Sequence, residues 1–577
     1  MYDGNYTESD FKEWITAAES NWNKVKADYE EDREYFENMQ APSDVPDDKE
    51  FITENRITDL VRRLTGAMIS GKVNIECRGG GKMSDPLKIL MQDILRENNF
   101  RESLVENITN HFYCEGYAGW KYRYNPMRLS KYGLGKPEIF ALDPDQLWLD
   151  PNARDMMHSD DIFRIHPQRI LLSYAKERWP KFADKITESM SEVGTGDETE
   201  EFCDLYEIEF RETFFQSIAS KVLDEQGKKK SIRIEHERYY IVLIINKAVI
   251  VEGPQPTGYP DFRMGPFIHT PRKDVGKGKM PFGPVRLTAQ TQNQKNILAS
   301  IMQDIVKKDI KKLAIIAGGT VEDEVKYKQE ASKEHGVLVL SSPDARVMFA
   351  PQTGLAPSLL QMKEMIDHRF DEATGKYAPQ RGDIQGQLSG KAIAYLNSGG
   401  IESEYVAQNH LESGFTALAR AIYHSIKNEL NQPFKVFTEI DGKEREIYYN
   451  SDVGPDDDYH VPGPRVNELS GINMEVYAEV IMNSLQMEQA EQNKALVAYG
   501  QGLLAKIDTI KALYPKSYAE KYDNLLAQDQ AMQLMNTMMQ QGPEFMSTMG
   551  QIIQQGAQQI ETARTAKDDM IKEGAAQ

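Results

Sequence analysis

Cysteine is nearly absent from this chain: Cys77, Cys114 and Cys203 are the only three in 577 residues. An odd number, wide spacing and no CxxC pair argue against a disulfide framework and against a cysteine-built zinc site, and fit a reducing compartment. Long apolar runs are missing too, since no stretch reaches the roughly eighteen residues of a membrane span. The N-terminus, MYDGNYTESD, is acidic and polar where a signal peptide would be basic and then apolar. A soluble chain not secreted by that route is expected. Positive charge is in deficit: 68 Lys and Arg against 89 Asp and Glu leave a net charge of −21. That balance opposes a tight grip on nucleic acid, which depends on cations neutralising phosphates. It does not oppose a conduit, because a wall that repels phosphate lets a polyanion slide. Solubility alone accounts for the same charge.

Catalytic signatures are absent as well. A P-loop ATPase needs GxxxxGK[ST], whose glycines let backbone N–H groups cradle phosphates and whose hydroxyl holds magnesium. Residues 386–392, GQLSGKA, place three residues between the glycines, and Ala392 stands where Ser or Thr is required. Ser389 is read as a helix N-cap, with Gly390 and Lys391 opening the helix. Gly276, Lys277, Gly278 and Lys279 form a basic turn without a strand-GxGxxG-helix context. The densest set of candidate metal ligands, Asp150, Asp155, His158, Asp160, Asp161 and His166, has neither HExxH nor EF-hand spacing, and its sequence is turn chemistry. No GxSxG or Cys/His signature points to a nucleophile. The expectation is therefore no enzyme activity, no catalytic residue, no metal and no cofactor.

What is present is a globular composition, 40% hydrophobic and 9% aromatic, in a chain long enough for two to four structural units. Phe11, Trp14, Ile15, Ala18, Trp22, Val25 and Tyr29 predict an amphipathic first helix, followed by a loop through residues 41–48. Ile57, Leu60, Val61, Leu64 and Met68 predict a second helix. Residues 86–97 give a third, and residues 100–115 a fourth with Leu104, Ile108, Phe112 and Cys114 on its apolar face. Strands follow at residues 118–124, 139–142, 203–215 and 233–251, the last broken by a hairpin turn at Asn246-Lys247. Helices first and strands after indicate an α+β body. Residues 433–449 read as a hairpin turning at Asp441-Gly442, completing the earlier sheet. From Glu468 the chain is expected to be helical. From Gln528 it is rich in Gln and Met, with methionines at helical spacing that suit an adaptable packing seam.

The most informative stretch is residues 283–400. Pro284 opens a polar helix predicted to reach Lys312, about 43 Å long at ~1.5 Å per residue. LAIIA (313–317) then reads as a strand, residues 321–332 as a helix capped by Thr320, and VLVL (337–340) and RVMF (346–349) as two more strands. Residues 355–374 carry Leu359, Leu360, Met362, Met365, Ile366 and Phe370 at helical spacing and return the chain to the body. The loop KYAPQRGDIQGQLSG (376–390) interrupts, and a helix resumes at Lys391, with a kink expected at Gly399-Gly400. About forty residues thus form a miniature α/β knob on a two-helix arm. A knob that small buries too little surface to stand alone, so its neighbours are expected to be copies of itself.

This order of elements resembles the portal proteins of tailed bacteriophages, most of all those of short-tailed phages. NRITDLVRRLTGAM (55–68) resembles the family's Asn-x-Ile helix ending near Gly66, FALDPDQLWLDP (140–151) its Asp-Pro-containing wing strands, and SGKAI (389–393) the start of the helix after the tunnel loop. The resemblance spans residues 55–450 and rests on the order of these motifs. It implies a wing from residues 1–283, a stem helix at 284–312, a clip at 313–353, a second stem helix at 354–375 and a tunnel loop at 376–390. A long helix and wing hairpin at 391–467, a helical crown at 468–545 and a C-terminal tail or barrel helix at 546–577 complete it. The resemblance further implies a homo-oligomeric ring, a dodecamer, at one capsid vertex of the virion, assembled in the host cytoplasm. Double-stranded DNA would pass through it without sequence specificity. Large terminase, major capsid and scaffolding proteins and tail or adaptor proteins would be its partners, with no membrane.

On that resemblance Leu313, Ile315, Val337, Val339, Val347 and Phe349 would hold the clip together. Lys307, Lys308, Lys311 and Lys312 close the outgoing helix, where cations either satisfy its dipole, by roughly 0.3 to 1 kcal/mol each, or form a collar that centres phosphates. Lys376, Gln380, Arg381, Gln385 and Gln387 lie in the loop that would touch DNA, polar residues able to contact a backbone without reading bases. The same loop also reads as an exposed linker.

Overall fold

A computed structural model describes residues 4–42, 50–70, 72–188, 201–223, 229–272, 280–310, 314–317, 325, 346–349, 356–374, 405–440, 443–455 and 459–481. The chain divides into one compact unit of residues 1–436 and 447–484 and a second of residues 437–446 and 485–577. The second unit is described only at the tip of a hairpin. The helix expected at 321–332, apart from Val325, the strand at 337–340, the loop at 376–390, the helix start at Lys391 and the methionine-rich region lie outside the described residues.

The N-terminal helices α1 (Glu8–Asn23) and α2 (Lys26–Phe36) replace the single helix that the apolar spacing predicts. The break falls at Lys24-Val25, where the Val25 N–H donates to the Trp22 carbonyl at 2.9 Å. The turn keeps Val25 and Tyr29 buried and lets the Tyr29 hydroxyl donate to the Pro281 carbonyl at 2.6 Å. Helices α3 (Ile57–Ser70), α4 (Ser84–Glu97) and α5 (Val105–Cys114) follow, α3 running past Gly66 and α5 entered through a π turn over Phe100–Leu104.

Between α3 and α4 lies a strand that the periodicity analysis passes over, β1 (Lys72–Arg78). It pairs antiparallel with the last described strand, Glu475–Ile481, in register from Lys72 opposite Ile481 to Arg78 opposite Glu475. This corrects the expectation of helix from Glu468. Val476, Ala478 and Val480 are buried at every second position, a period of two that only a strand can place on one face.

The rest of the body is two sheets. Strands β2 (Tyr117–Ser130), β3 (Gly133–Leu142) and β9 (Met264–Ile268) form one in the order β3-β2-β9. Strands β4 (Trp148–Leu149), β5 (Phe163–Leu171), β6 (Phe202–Leu223), β7 (Lys229–Ile245) and β8 (Val249–Pro256) form the other, in chain order and antiparallel. The expected hairpin turn is present: Asn246 and Lys247 have φ of 48° and 58°, the left-handed pair that a tight two-residue turn requires.

Alternation along β6 assigns its faces. Tyr206, Ile208 and Phe210 join Phe11, Ile15 and Trp22 of α1 in one core, where Trp14 stacks on Phe163 at 4.8 Å. Cys203 and Leu205 turn to the opposite face, under α6 (Leu172–Arg178) and Trp179. All three cysteines are free and buried.

From this body the chain runs out through α7 (Pro284–Ile310), into β10 (Ala314–Ala317), which pairs antiparallel with β11 (Arg346–Phe349), and back through α8 (Pro357–Ala373). Helix α9 (Tyr405–Glu429) then packs on β9 and the β1 sheet, with Phe415 and Phe267 ring centres 4.7 Å apart. Among the described strands, β12 (Phe434–Ile440) and β13 (Lys443–Tyr449) form a two-stranded sheet of their own and do not join the earlier sheet.

Candidate functional site

The two-helix arm is the element on which function turns, and three devices seat it. The first is a polar ladder along α7. Residues 50–56, EFITENR, run beside the helix, and the N–H groups of Ile52, Glu54 and Arg56 donate to the side chains of Ser300, Asn296 and Gln292 at 2.9, 3.1 and 3.2 Å. Gln292 returns its amide N–H to the Glu54 carbonyl at 2.8 Å, and Glu50 accepts from Gln303 at 2.8 Å. Every second residue of an extended chain advances about 6.6 Å, and every fourth residue of a helix about 6 Å, so the two repeats stay in step. Gln292 and Asn296 are buried; besides their bonds to the backbone of residues 54 and 56, Gln292 donates to the Asn296 amide oxygen at 2.8 Å and Asn296 to the Gln40 amide oxygen at 2.7 Å. The polar side chains of α7 are therefore a docking seam for an uncoiled segment, which helical periodicity alone does not reveal.

The second device is a charge lattice joining α7 and α8. Lys295, buried, pairs with Glu54 at 3.0 Å and with Asp367 of α8, while Arg56 reaches Asp367 and Asp371 at 3.4 Å and Lys363 reaches Glu54 at 3.2 Å. Residues 363, 367 and 371 are four apart, so one face of α8 meets the lattice.

The third is a buried ionic hub at the root of α7. Arg286, in its first turn, donates to the Asp28 carbonyl and pairs with Glu31 at 2.6 Å and Asp32 at 3.1 Å. Burial pushes the Asp32 carboxyl up to about 8, with Arg286 opposing it. Close by, Glu115 accepts from Arg33 at 2.7 Å and from His111 at 3.2 Å, and His111 also meets Asp143 at 3.1 Å. Burial by itself would lower the His111 imidazolium, but hydrogen bonds to Asp143 and Glu115 outweigh it and hold its pKa up at about 9.

The folded chain thus keeps its His111 proton to about 9, against an ordinary value of 6.5. Its stabilisation is complete below 6.5 and lost as pH rises through 9, worth ~3 kcal/mol. Asp32 acts in the same sense, its advantage full below 3.8 and lost as pH rises through about 8. The thermal midpoint is expected to fall between pH 6.5 and 9, and His111→Gln to flatten that decline. An equal slope in wild type and variant would remove the hub from the account of stability.

The outer surface of the arm is apolar where a lone subunit has no use for it. Leu287, Ile297 and Ile301 of α7 are 59, 52 and 45% exposed. With the exposed Gln290 and Gln294 they occupy positions three and four apart, the repeat of a helix seam. Leu360, Met362 and Met365 of α8 are exposed in the same way. Leu298, Ile366 and Phe370 are buried.

The residues singled out in the sequence have distinct fates. Lys307 forms a 2.6 Å ion pair with Glu50, so this cation closes the ladder. Lys308 lies in α7. Ile315, Val347 and Phe349 sit in the paired strands β10 and β11, Phe349 opposite Ala314 and Val347 opposite Ile316. Lys311, Lys312, Leu313, Val337, Val339, Lys376, Gln380, Arg381, Gln385 and Gln387 lie outside the described residues.

The Asp/His cluster is spent on the fold. Asp150 accepts from the N–H groups of Asn152 and Ile162, Asp155 from those of Met157 and Ser159, and Asp160 from those of Arg154 and Asp155. Asp161 binds His158 and Arg164 at 2.8 and 2.9 Å. His166 contacts Lys121 at 2.9 Å, and burial followed by the Lys121 charge drives its pKa down to about 3. Among the described residues no group of three His, Cys, Asp or Glu could hold a metal, and no helix is long and apolar enough to cross a membrane.

An α+β body carrying a braced helical hairpin defines a structural subunit. The family model for the phage P22-like portal protein matches residues 12–577, nearly the whole chain, and the chain belongs to that family. Its role is that of a portal, the head-to-tail connector of a virion, and it is not an enzyme. Two solved structures are similar, one described as the virion of a native gene transfer agent particle and one as the neck of an empty particle computed with C6 symmetry. Each is 10% identical, covers 79% of this chain and 88% of that chain, and has a TM-score of 0.39. No curated protein matches. The assignment rests on the family match.

Proposed function

We propose that this chain forms a closed ring at one capsid vertex, with an axial channel through which double-stranded DNA enters during packaging and leaves at ejection. The ring is a dodecamer, as the family resemblance implies. Residues 284–312 and 354–375 serve as its stem, residues 313–353 as the clip on which large terminase and later tail or adaptor proteins dock, and residues 376–390 as the loop lining the channel. The motor that hydrolyses ATP is a separate protein.

The observation that carries this reading is the row of exposed Leu287, Ile297 and Ile301 on a helix braced along its other side. A face that is apolar, regularly spaced and rigidly held suits a different, complementary face of the next copy, the head-to-tail contact that closes a ring. The net charge of −21 suits passage of DNA in preference to its capture.

Electron microscopy of the purified assembly tests the ring: closed particles with an open centre are expected, and filaments or monomers would favour a virion component without a channel. Deleting residues 380–387 is expected to leave rings intact and to impair packaging or retention of DNA. Particles with a normal genome content would remove the loop from the channel.

A further inference from the structure

The turn end of the β2–β3 hairpin carries a projection that its own subunit does not use. Its register steps from Asn125 opposite Lys136 to Leu129 opposite Leu134, so Pro126, Met127 and Arg128 face Gly135 alone. Such a bulge re-aims side chains, and Pro126, with no N–H to pair, sits where the ladder is already interrupted. The Asn125 side chain accepts from the Met127 N–H at 3.2 Å and closes the bulge. Met127 is left 92% exposed and Leu129 79%, more than any other large apolar side chain among the described residues. The tip is braced from behind. Lys131 pairs with Asp93 and Glu97 of α4 at 2.8 Å each, the Tyr132 hydroxyl donates to Asp93 at 2.9 Å, and the Tyr132 ring meets that of Phe434 edge-on at 5.4 Å.

A recess of matching character lies at the other end of α4. A cavity of about 250 Å3 is lined by Met83, Val461, Pro462, Ile472 and Met474, with Arg465 and Glu468 at its border. Its walls are preformed. The Val461 N–H donates to the side chain of the buried Asn467 at 2.8 Å, and the Tyr423 hydroxyl joins the Ile472 carbonyl and the Met474 N–H at 3.0 Å each. Gly80 leaves room for Met474, since a Cβ there would stand 1.9 Å from the methionine methyl. The tip is braced at Asp93 and Glu97 and the recess is walled by Met83, so about 15 to 20 Å of α4 lie between them. The exposure of Met127 shows that a chain does not fill its own recess. Charge agrees with apolar fit. Arg123 and Arg128 share Glu138 at 2.6 and 2.9 Å, one positive charge in excess, while Glu468 accepts from the Ser470 hydroxyl at 3.0 Å and Arg465 is drawn to Asp452 at 3.9 Å.

We propose that the bulged tip of one copy enters the recess of the next, burying Met127 and Leu129 against Met83, Val461, Pro462, Ile472 and Met474 and setting Arg128 beside Glu468. A projection and a recess at different places on one chain make a head-to-tail contact, which repeats until a ring closes. The contact rests on the ring proposed above and adds a second attachment, in the body, to the seam of the arm.

The test is an oxidative cross-link in the assembled full chain. Met127→Cys combined with Pro462→Cys is expected to give a ladder of covalent multimers on a non-reducing gel. Either substitution alone, or Met127→Cys with Tyr174→Cys, is expected to give single chains, the native cysteines being buried. Met127→Ser with Leu129→Ser, at positions too exposed to stabilise a lone subunit, is expected to leave the thermal midpoint of the dissociated chain unchanged and to weaken each subunit contact by about tenfold. Rings that give no cross-link, or that cross-link equally with the Tyr174 control, would overturn this contact and leave the ring standing. Rings of undiminished stability without the two apolar side chains would do the same, and would leave the tip to a capsid or tail protein. Monomers from the wild-type chain would overturn the ring and this contact together.

Discussion

Replacing Leu287, Ile297 and Ile301 together with glutamate is expected to leave a folded monomer and to abolish the ring. In the isolated subunit these side chains are about half exposed, so the substitutions should change its stability by within about 0.5 kcal/mol each. At an interface the account reverses. Burying a fully exposed aliphatic side chain contributes roughly 1.5 to 3 kcal/mol, so covering the exposed half of each of these contributes about half as much, and the triple variant forfeits all three shares while forcing carboxylates into an apolar seam. A closed ring repeats that loss at every subunit contact. Circular dichroism and the thermal midpoint should match wild type, while sedimentation and negative-stain imaging should report single chains. Intact rings from the triple variant would remove α7 from the interface.

The second large effect is expected at a point where two segments cross without side chains. Gly116, between α5 and β2, has a φ of 80°, and a Cβ there would stand 1.9 Å from the Phe282 carbonyl carbon and 2.2 Å from the Gly283 nitrogen. A Cβ on Gly283 would likewise meet the Cys114 carbonyl oxygen at 2.5 Å. The obstructing atoms are backbone, so no rotamer change relieves the clash. Left-handed strain of about 1 to 2 kcal/mol adds to overpacking of about 1 to 3 kcal/mol. Gly116→Ala should therefore cost about 2 to 5 kcal/mol in denaturant unfolding and should loosen the root of α7, which begins one residue after the crossing. Gly66→Ala is the control: that glycine lies inside α3 with nothing within 4 Å of its Cβ position, and alanine there should be neutral or stabilising by up to about 1 kcal/mol. Similar losses from the two substitutions would show that the crossing is not tight.

Features set by neighbours in the chain were legible in the sequence. Pro284 opens α7 where expected, RVMF forms β11, AIIA of the LAIIA run forms β10, and Asn246-Lys247 makes its turn. Each depends on φ preference or on a local apolar period. The break between α1 and α2 was not legible, because the helical repeat continues through Val25 while the chain turns to bring Tyr29 to Pro281. The strand Glu475–Ile481 alternates visibly, yet its partner lies some four hundred residues earlier, and nothing local distinguishes Lys72–Arg78 from any other short amphipathic run.

The seating of the arm divides the same way. Gln292, Asn296 and Ser300 read as the polar side of a helix, and only the approach of residues 50–56 turns them into a ladder of side-chain acceptors for backbone N–H groups. Lys307 reads as a cation for a helix end or for DNA, and its surface ion pair with Glu50 is a contact that only the fold supplies. By itself, then, the sequence determined the locally set elements, such as α7, β10 and β11, and the family the chain belongs to, because those follow from residue preference and spacing along the chain. Tertiary structure alone decided which polar groups are consumed and which apolar faces are left uncovered, because burial and pairing depend on segments that meet only when the chain has folded.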